Sequence, residues 1–218
     1  MICGKRVLAW VSILSAVMMV SCAAQGTKLT RKHLNESFAQ HPLSDILVIG
    51  VSHREDNRRL FEERFVAVLK EAGIDAVGSA KAVSVSSELK LEKEQIKQAV
   101  KMHGCDAVIV THLTDIQQKE TFARGATLPT GYADYYGYII TGYRETGYSS
   151  GQAKVWLETR LFDVASESLV WSAVSEAWKA ESGKKVLSEV IREMVRDLIE
   201  AGVVAPGGYP LRQARVWP

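Results

Sequence analysis

The stretch "ILVIGV" (residues 46–51) decides how the rest of the chain reads. It is an uncharged apolar run of strand length, the pattern of a strand covered on both faces. Downstream, Phe61, Phe65, Val68, Leu69 and Ala72 recur at helical spacing up to Gly73, so a helix follows the strand. Ser52-His53-Arg54-Glu55 places a serine three residues before a glutamate, the form of a capping box at that helix's start. Ile74–Gly78 reads as a second strand, and the serine-rich SAKAVSVSSE (residues 79–88) as a connection. A second helix carries Ile96, Ala99, Val100 and His103 and stops at Gly104. "CDAVIVTHL" (residues 105–113) is a third strand, again apolar. The order β-α-β-α-β favours a sheet with helices packed against it.

The second half changes character. In Ala153–Val164, Val155, Leu157 and Leu161 alternate with Lys154, Glu158 and Arg160, as in a half-buried strand. A short turn, Ala165-Ser166-Glu167-Ser168, leads into Leu169–Trp178. There Leu169, Trp171 and Ala173 are expected on one face and Val170, Val174 and Trp178 on the other, completing a hairpin. Lys184–Ala201 closes the domain as an amphipathic helix ending at Gly202. The expected fold is α/β (α+β): one mixed sheet of about five strands with two to three helices, spanning residues 45–202. A Gly/Tyr-rich insertion occupies about 121–152, and the proline- and glycine-rich 203–218 reads as an irregular tail.

The N-terminus reads as an address. Lys5 and Arg6 precede the apolar run Val7–Val20, which is too short to span a bilayer but suits a signal-peptide core. Met19-Val20-Ser21-Cys22 resembles a lipobox, although Met19 stands where leucine is usual. Residues 1–21 are then a lipoprotein signal peptide and Cys22 the lipidation site. An alternative is an ordinary secretory signal with a chance cysteine. Ala23 after the anchor resembles the sorting pattern for the outer membrane, its lipidated face toward the periplasm. Residues 22–44 are mixed and polar and read as the lipidated cysteine plus a flexible tether of about 25 Å r.m.s. reach, with room for a short helix near 30–40.

Composition bounds the rest. Of three cysteines, Cys3 leaves with the signal and Cys22 becomes the anchor, so Cys105 has no intramolecular disulfide partner. The +2 formal charge comes from Lys5 and Arg6, so the mature chain is neutral and lacks the basic patch of a nucleic-acid binder.

"FEERFVAVLKEAG" (61–73), "HGCDAVIVTHL" (103–113) and "VWLETRLFDVASESLVWSA" (155–173), in that order with a Gly/Tyr-rich insertion, carry a resemblance. The chain resembles an uncharacterised family of bacterial lipoproteins of outer-membrane type. Their α/β domain is similar to that of the TolB N-terminal domain, the curli-secretion lipoprotein and the lipoprotein activators of penicillin-binding proteins. The resemblance implies a non-enzymatic role in binding other envelope components and transfers no binding residue.

No catalytic residue and no cofactor are expected. Ser87–Lys90 and Ser182–Lys185 match Ser-x-x-Lys without the companion motifs of penicilloyl chemistry. Gly50-Val51-Ser52 lacks the further glycines of a dinucleotide turn. No metal site is expected. His103, Cys105 and His112 cluster in sequence, but strand parity sends residues 105 and 112 to opposite faces. Arg54, Arg58 and Arg59 interleave with Glu55, Asp56, Glu62 and Glu63, the habit of a solvated helix face rather than of an anion site.

"GYADYYGYIITGYRETGY" (131–148) concentrates Tyr132, Tyr135, Tyr136, Tyr138, Tyr143 and Tyr148. Tyrosine gives contact area at small entropic cost, so this stretch is the candidate surface for an envelope protein or glycan partner, or for homo-oligomerisation. A loop lying over the sheet is the plain alternative. A membrane-inserting hairpin with Tyr135–Tyr143 as one strand, giving an oligomeric pore or secretion lipoprotein, is a third. A hydrolase would instead gather Asp134, Glu145 and Glu158 around an aromatic cleft. The first reading makes the protein a lipid-anchored, non-enzymatic envelope component.

Overall fold

The computed structural model describes residues 28–52, 54–83, 90–114, 129–146, 154–178 and 183–206. Cys22, Tyr148, both Ser-x-x-Lys serines and the tail beyond 206 lie outside these residues. In chain order the strands are β1 (Lys28–Leu34), β2 (Asp45–Val51), β3 (Asp75–Gly78), β4 (Ala107–Thr114), β5 (Lys154–Asp163) and β6 (Leu169–Trp178). The helices are α1 (Glu55–Glu71), α2 (Ser79–Ala82), α3 (Lys93–His103), α4 (Tyr132–Thr146) and α5 (Gly183–Glu200). The strands form one mixed, open sheet in the order β1-β6-β5-β4-β2-β3.

β2 lies between β3 and β4 and is parallel to both. The "ILVIGV" run is apolar throughout because each face of this inner strand is roofed. Ile46 and Val48 face the layer of α1 and α5, where Phe65, Leu69, Ile191, Met194 and Leu198 are fully or almost fully buried. Leu47, Ile49 and Val51 face the layer of α3 and α4, with Ile96, Ala99, Tyr135 and Ile139. β5 and β6 form the expected antiparallel hairpin, and β5 runs antiparallel to β4. A register shift at Leu161/Phe162 puts Val170 and Trp171 in the same cluster and Leu169 against the opposite one. That bulge overrides the strict alternation expected for β6. Phe162, expected on an exposed face, alternates with Leu161 as a strand residue should, but is buried because α4 covers that face, with Tyr135 5.4 Å from it.

Three expectations change with the tertiary structure. The sheet reaches into the stretch read as tether: β1, Lys28–Leu34, pairs antiparallel with β6 and makes a sixth strand. Its sequence, KLTRKHL, shows little apolar alternation because an edge strand presents much of itself to water. A 3-10 turn, Glu36–Gln40, follows it where a short helix had room. Secondly, α1 begins at Glu55 without a side-chain cap; Ser52 instead accepts the Arg54 N–H at 3.2 Å. Thirdly, Cys105 lies before β4, so strand parity does not govern it, and it joins the same face as Val108 and Val110. A rise of about 3.3 Å per residue still sets it roughly 20 Å from His112 along the strand.

Candidate functional site

The tyrosine stretch is a helix, not an irregular insertion or a membrane hairpin. Tyr132, Tyr135, Tyr136, Ile139 and Ile140 are all buried, and their spacing is that of one helical stripe laid on the sheet. Asp134 and Gly137 within the stripe, and Gly131, Thr141 and Gly142 beside it, obscured that period. The Tyr136 hydroxyl accepts the Leu91 N–H at 3.1 Å, and Lys93 pairs with Asp134 at 2.7 Å on the outer side. Tyr138 points outward and is 38% exposed. The Tyr143 side chain and Tyr148 lie outside the described residues. Three of the six tyrosines are therefore packing groups.

Beneath α4, Tyr135 meets a polar cluster on the sheet. Its ring lies 5.4 Å from Phe162 and 6.3 Å from His112, and the Arg160 guanidinium stacks over it at 4.5 Å. Glu158 holds Arg160 at 2.7 Å and stands 3.9 Å from His112. Burial pushes the imidazole down to about 4, with Glu158 pulling the other way, so His112 is neutral at pH 7. Burial likewise raises the Tyr135 hydroxyl. Asp134 and Glu158, candidates for one hydrolytic centre, hold separate cations, Lys93 and Arg160. The Glu145 side chain lies outside the described residues.

A second cluster corrects the solvated-face reading of α1. Arg58 and Glu62 are each 1% exposed. With Phe61, Phe65 and Leu69 they occupy the buried stripe of the helix itself, a position visible in the sequence. The Glu62 carboxylate accepts the Gly50 N–H at 3.0 Å, the Ser79 hydroxyl at 2.6 Å and the Ala80 N–H at 2.6 Å. It thus ties β2, α1 and α2 together. A side chain at Gly50 would meet Phe61 at 3.0 Å, so glycine in this apolar strand admits the close approach of α1. Burial raises the Glu62 carboxyl. Burial also works against the Arg58 charge, but its bonds to Glu55 and the nearby Glu62 outweigh that and leave its pKa raised. Arg58 is bound by Glu55 in bidentate fashion at 2.8 and 2.9 Å, so its donors are directed into the protein.

Along the β3 edge lies an open cleft of about 400 Å³. Ile46, Val66, Ala76 and Val77 supply apolar wall, and Asp45, Asp75, Lys70 and Lys81 bring both signs of charge. Cys105 lines it too. Burial, with Asp45 and Asp106 nearby, pushes its thiol up to about 12, so it is protonated and a poor nucleophile. Nothing in the local sequence marked this cleft, because it exists only where β3 ends the sheet. Among the described residues no group of three or more His, Cys, Asp or Glu is placed to hold a metal ion. Nor is any described helix long and apolar enough to cross a membrane.

No family model and no curated protein matches the chain. Among solved structures, it is similar to the PelC dodecamer from Paraburkholderia phytofirmans, at 15% identity and TM-score 0.41, covering 82% of this chain and 99% of that one. A PelC variant dodecamer from the same organism aligns at 12% identity and TM-score 0.42, covering 79% of this chain and 97% of that one. A likeness of this depth says nothing about role.

Proposed function

We propose that the chain is a lipid-anchored, non-enzymatic component of the bacterial cell envelope. In this reading Cys22 carries the lipid in the outer membrane, and the domain recognises an envelope partner in the periplasm through the β3 edge and its cleft. The observation that carries the recognition site is the pairing of an open edge with an adjoining concavity. Among the described residues β3 is hydrogen-bonded to β2 on one side only, and the mixed apolar and charged cleft runs beside it. An edge strand offers free backbone groups to an added strand, and alternate pockets beside it read side chains. The opposite edge is less inviting: β1 carries Lys28, Arg31 and Lys32 and a register shift, devices that discourage pairing. The protonated Cys105 thiol and the already paired carboxylates favour recognition over covalent chemistry.

The test is site-specific photo-crosslinking in intact envelopes, with the probe at Asp75 or Lys81 and controls at Tyr138 and Glu193. Capture of an envelope protein, a glycan or a second copy from β3 positions, and not from Glu193, supports the reading. Capture from Tyr138 alone moves the recognition surface to the outer side of α4.

A further inference from the structure

We propose that the β1 edge of the sheet rests against the anionic headgroups of the leaflet that holds Cys22, so that β3 faces away from the membrane. The inference rests on the reading of Cys22 as the lipidated residue. Its geometric part follows from covalent length. Five residues separate Cys22 from Lys28, the first residue of β1. Whatever their conformation, six residue steps span at most about 20 Å, since an extended chain covers only 3.3–3.6 Å per residue. β1 is thus the strand whose start is covalently kept within about 20 Å of the lipidated cysteine.

The second part is the position of β1 in the strand order. β1 and β3 are the two ends of a six-stranded sheet. With neighbouring strands about 4.8 Å apart, the two edges stand roughly 24 Å from one another. A sheet hung from one edge therefore carries the other edge, and the cleft, outward.

The third part is charge. Lys28 and Lys32 are exposed on β1. Arg31 is engaged by Asp197 at 2.6 Å and is committed to the protein. Lys28, which stands opposite Glu176 in the strand pair, and Lys32 are two exposed cations of an edge strand beside a lipid anchor; they suit a negatively charged headgroup layer, and each such lysine adds measurably to membrane affinity. Acyl chains supply the hold, and the lysines supply the orientation.

The experiment uses the acylated protein in vesicles of phosphatidylcholine with phosphatidylglycerol, carrying a headgroup quencher. A fluorophore is placed on a cysteine at position 30 or position 81. Quenching at 30 should exceed that at 81 at least about threefold, and Lys28→Glu with Lys32→Glu should bring the ratio toward one. In parallel, a clickable fatty acid reports on Cys22, with Cys22→Ala as control. Labelled protein with equal quenching at both positions, or stronger quenching at 81, overturns the orientation and leaves the anchor standing. Failure to label Cys22 removes the anchor and the orientation together.

Discussion

Arg31 and Asp197, 166 residues apart, form a bidentate pair at 2.9 and 2.6 Å that fastens the first strand to the last helix. The same carboxylate accepts the Trp171 indole N–H at 2.7 Å, so one aspartate joins β1, β6 and α5. The hydrogen bond to Asp197 holds the Arg31 guanidinium above its ordinary pKa.

Asp197→Asn should therefore cost more than Arg31→Ala. The arginine is partly exposed, and such pairs contribute about 0–1 kcal/mol. Losing the carboxylate weakens a buried indole donor as well, for a total of about 2 kcal/mol. Chemical denaturation of the two single variants and the double variant measures the difference. Equal losses would mean that Trp171 does not depend on Asp197.

Glu62→Gln should destabilise the domain by about 3 kcal/mol, because an amide NH₂ would face donors that now meet an oxygen, and Arg58 would lose a buried counter-charge. Urea denaturation reports the loss. A change within 0.5 kcal/mol of wild type would show that the cluster is hydrated rather than sealed.

The buried His112 sets a pH dependence with a definite sign. Its native pKa, about 4, lies below the ordinary 6.5, so between these values the unfolded chain binds more protons than the native one. Its contribution is fully present above about pH 6.5, falls as the pH drops toward 4, and is flat below. The full effect is about 3 kcal/mol. His112→Gln should flatten this part of the stability–pH curve relative to wild type; an unchanged curve would indicate that the imidazole already takes up its proton when folded.

Tyr135→Ala should cost about 3–5 kcal/mol by opening a cavity between α4 and the sheet. Tyr136→Phe should cost about 1–3 kcal/mol, since it leaves the buried Leu91 N–H without its acceptor. Replacing 131–148 with a Gly/Ser linker should unmask the sheet face and abolish cooperative melting. A variant of that kind with a wild-type melting temperature would return α4 to the status of a dispensable insertion.

The sequence by itself determined the inner strands, the amphipathic helices α1, α3 and α5, and the hairpin. In each, burial of one stripe or of both faces writes a period into the residues, and the period survives without knowledge of neighbours. The stripes of α1 and α4 were also written there. Arg58 and Glu62 were masked by their charge, which signals solvent unless partners are known. Tyr132, Tyr135 and Tyr136 were masked by the flanking glycines 131 and 137, which suggest a loop. Tertiary structure alone decided that KLTRKHL would be a strand, because an edge strand draws its hydrogen bonds from β6 and needs little apolar pattern of its own. It alone placed Asp197 between Arg31 and Trp171, and opened a cleft where β3 ends the sheet. These arise from contacts between residues distant in the chain, and local periodicity carries no record of which edges remain unpaired.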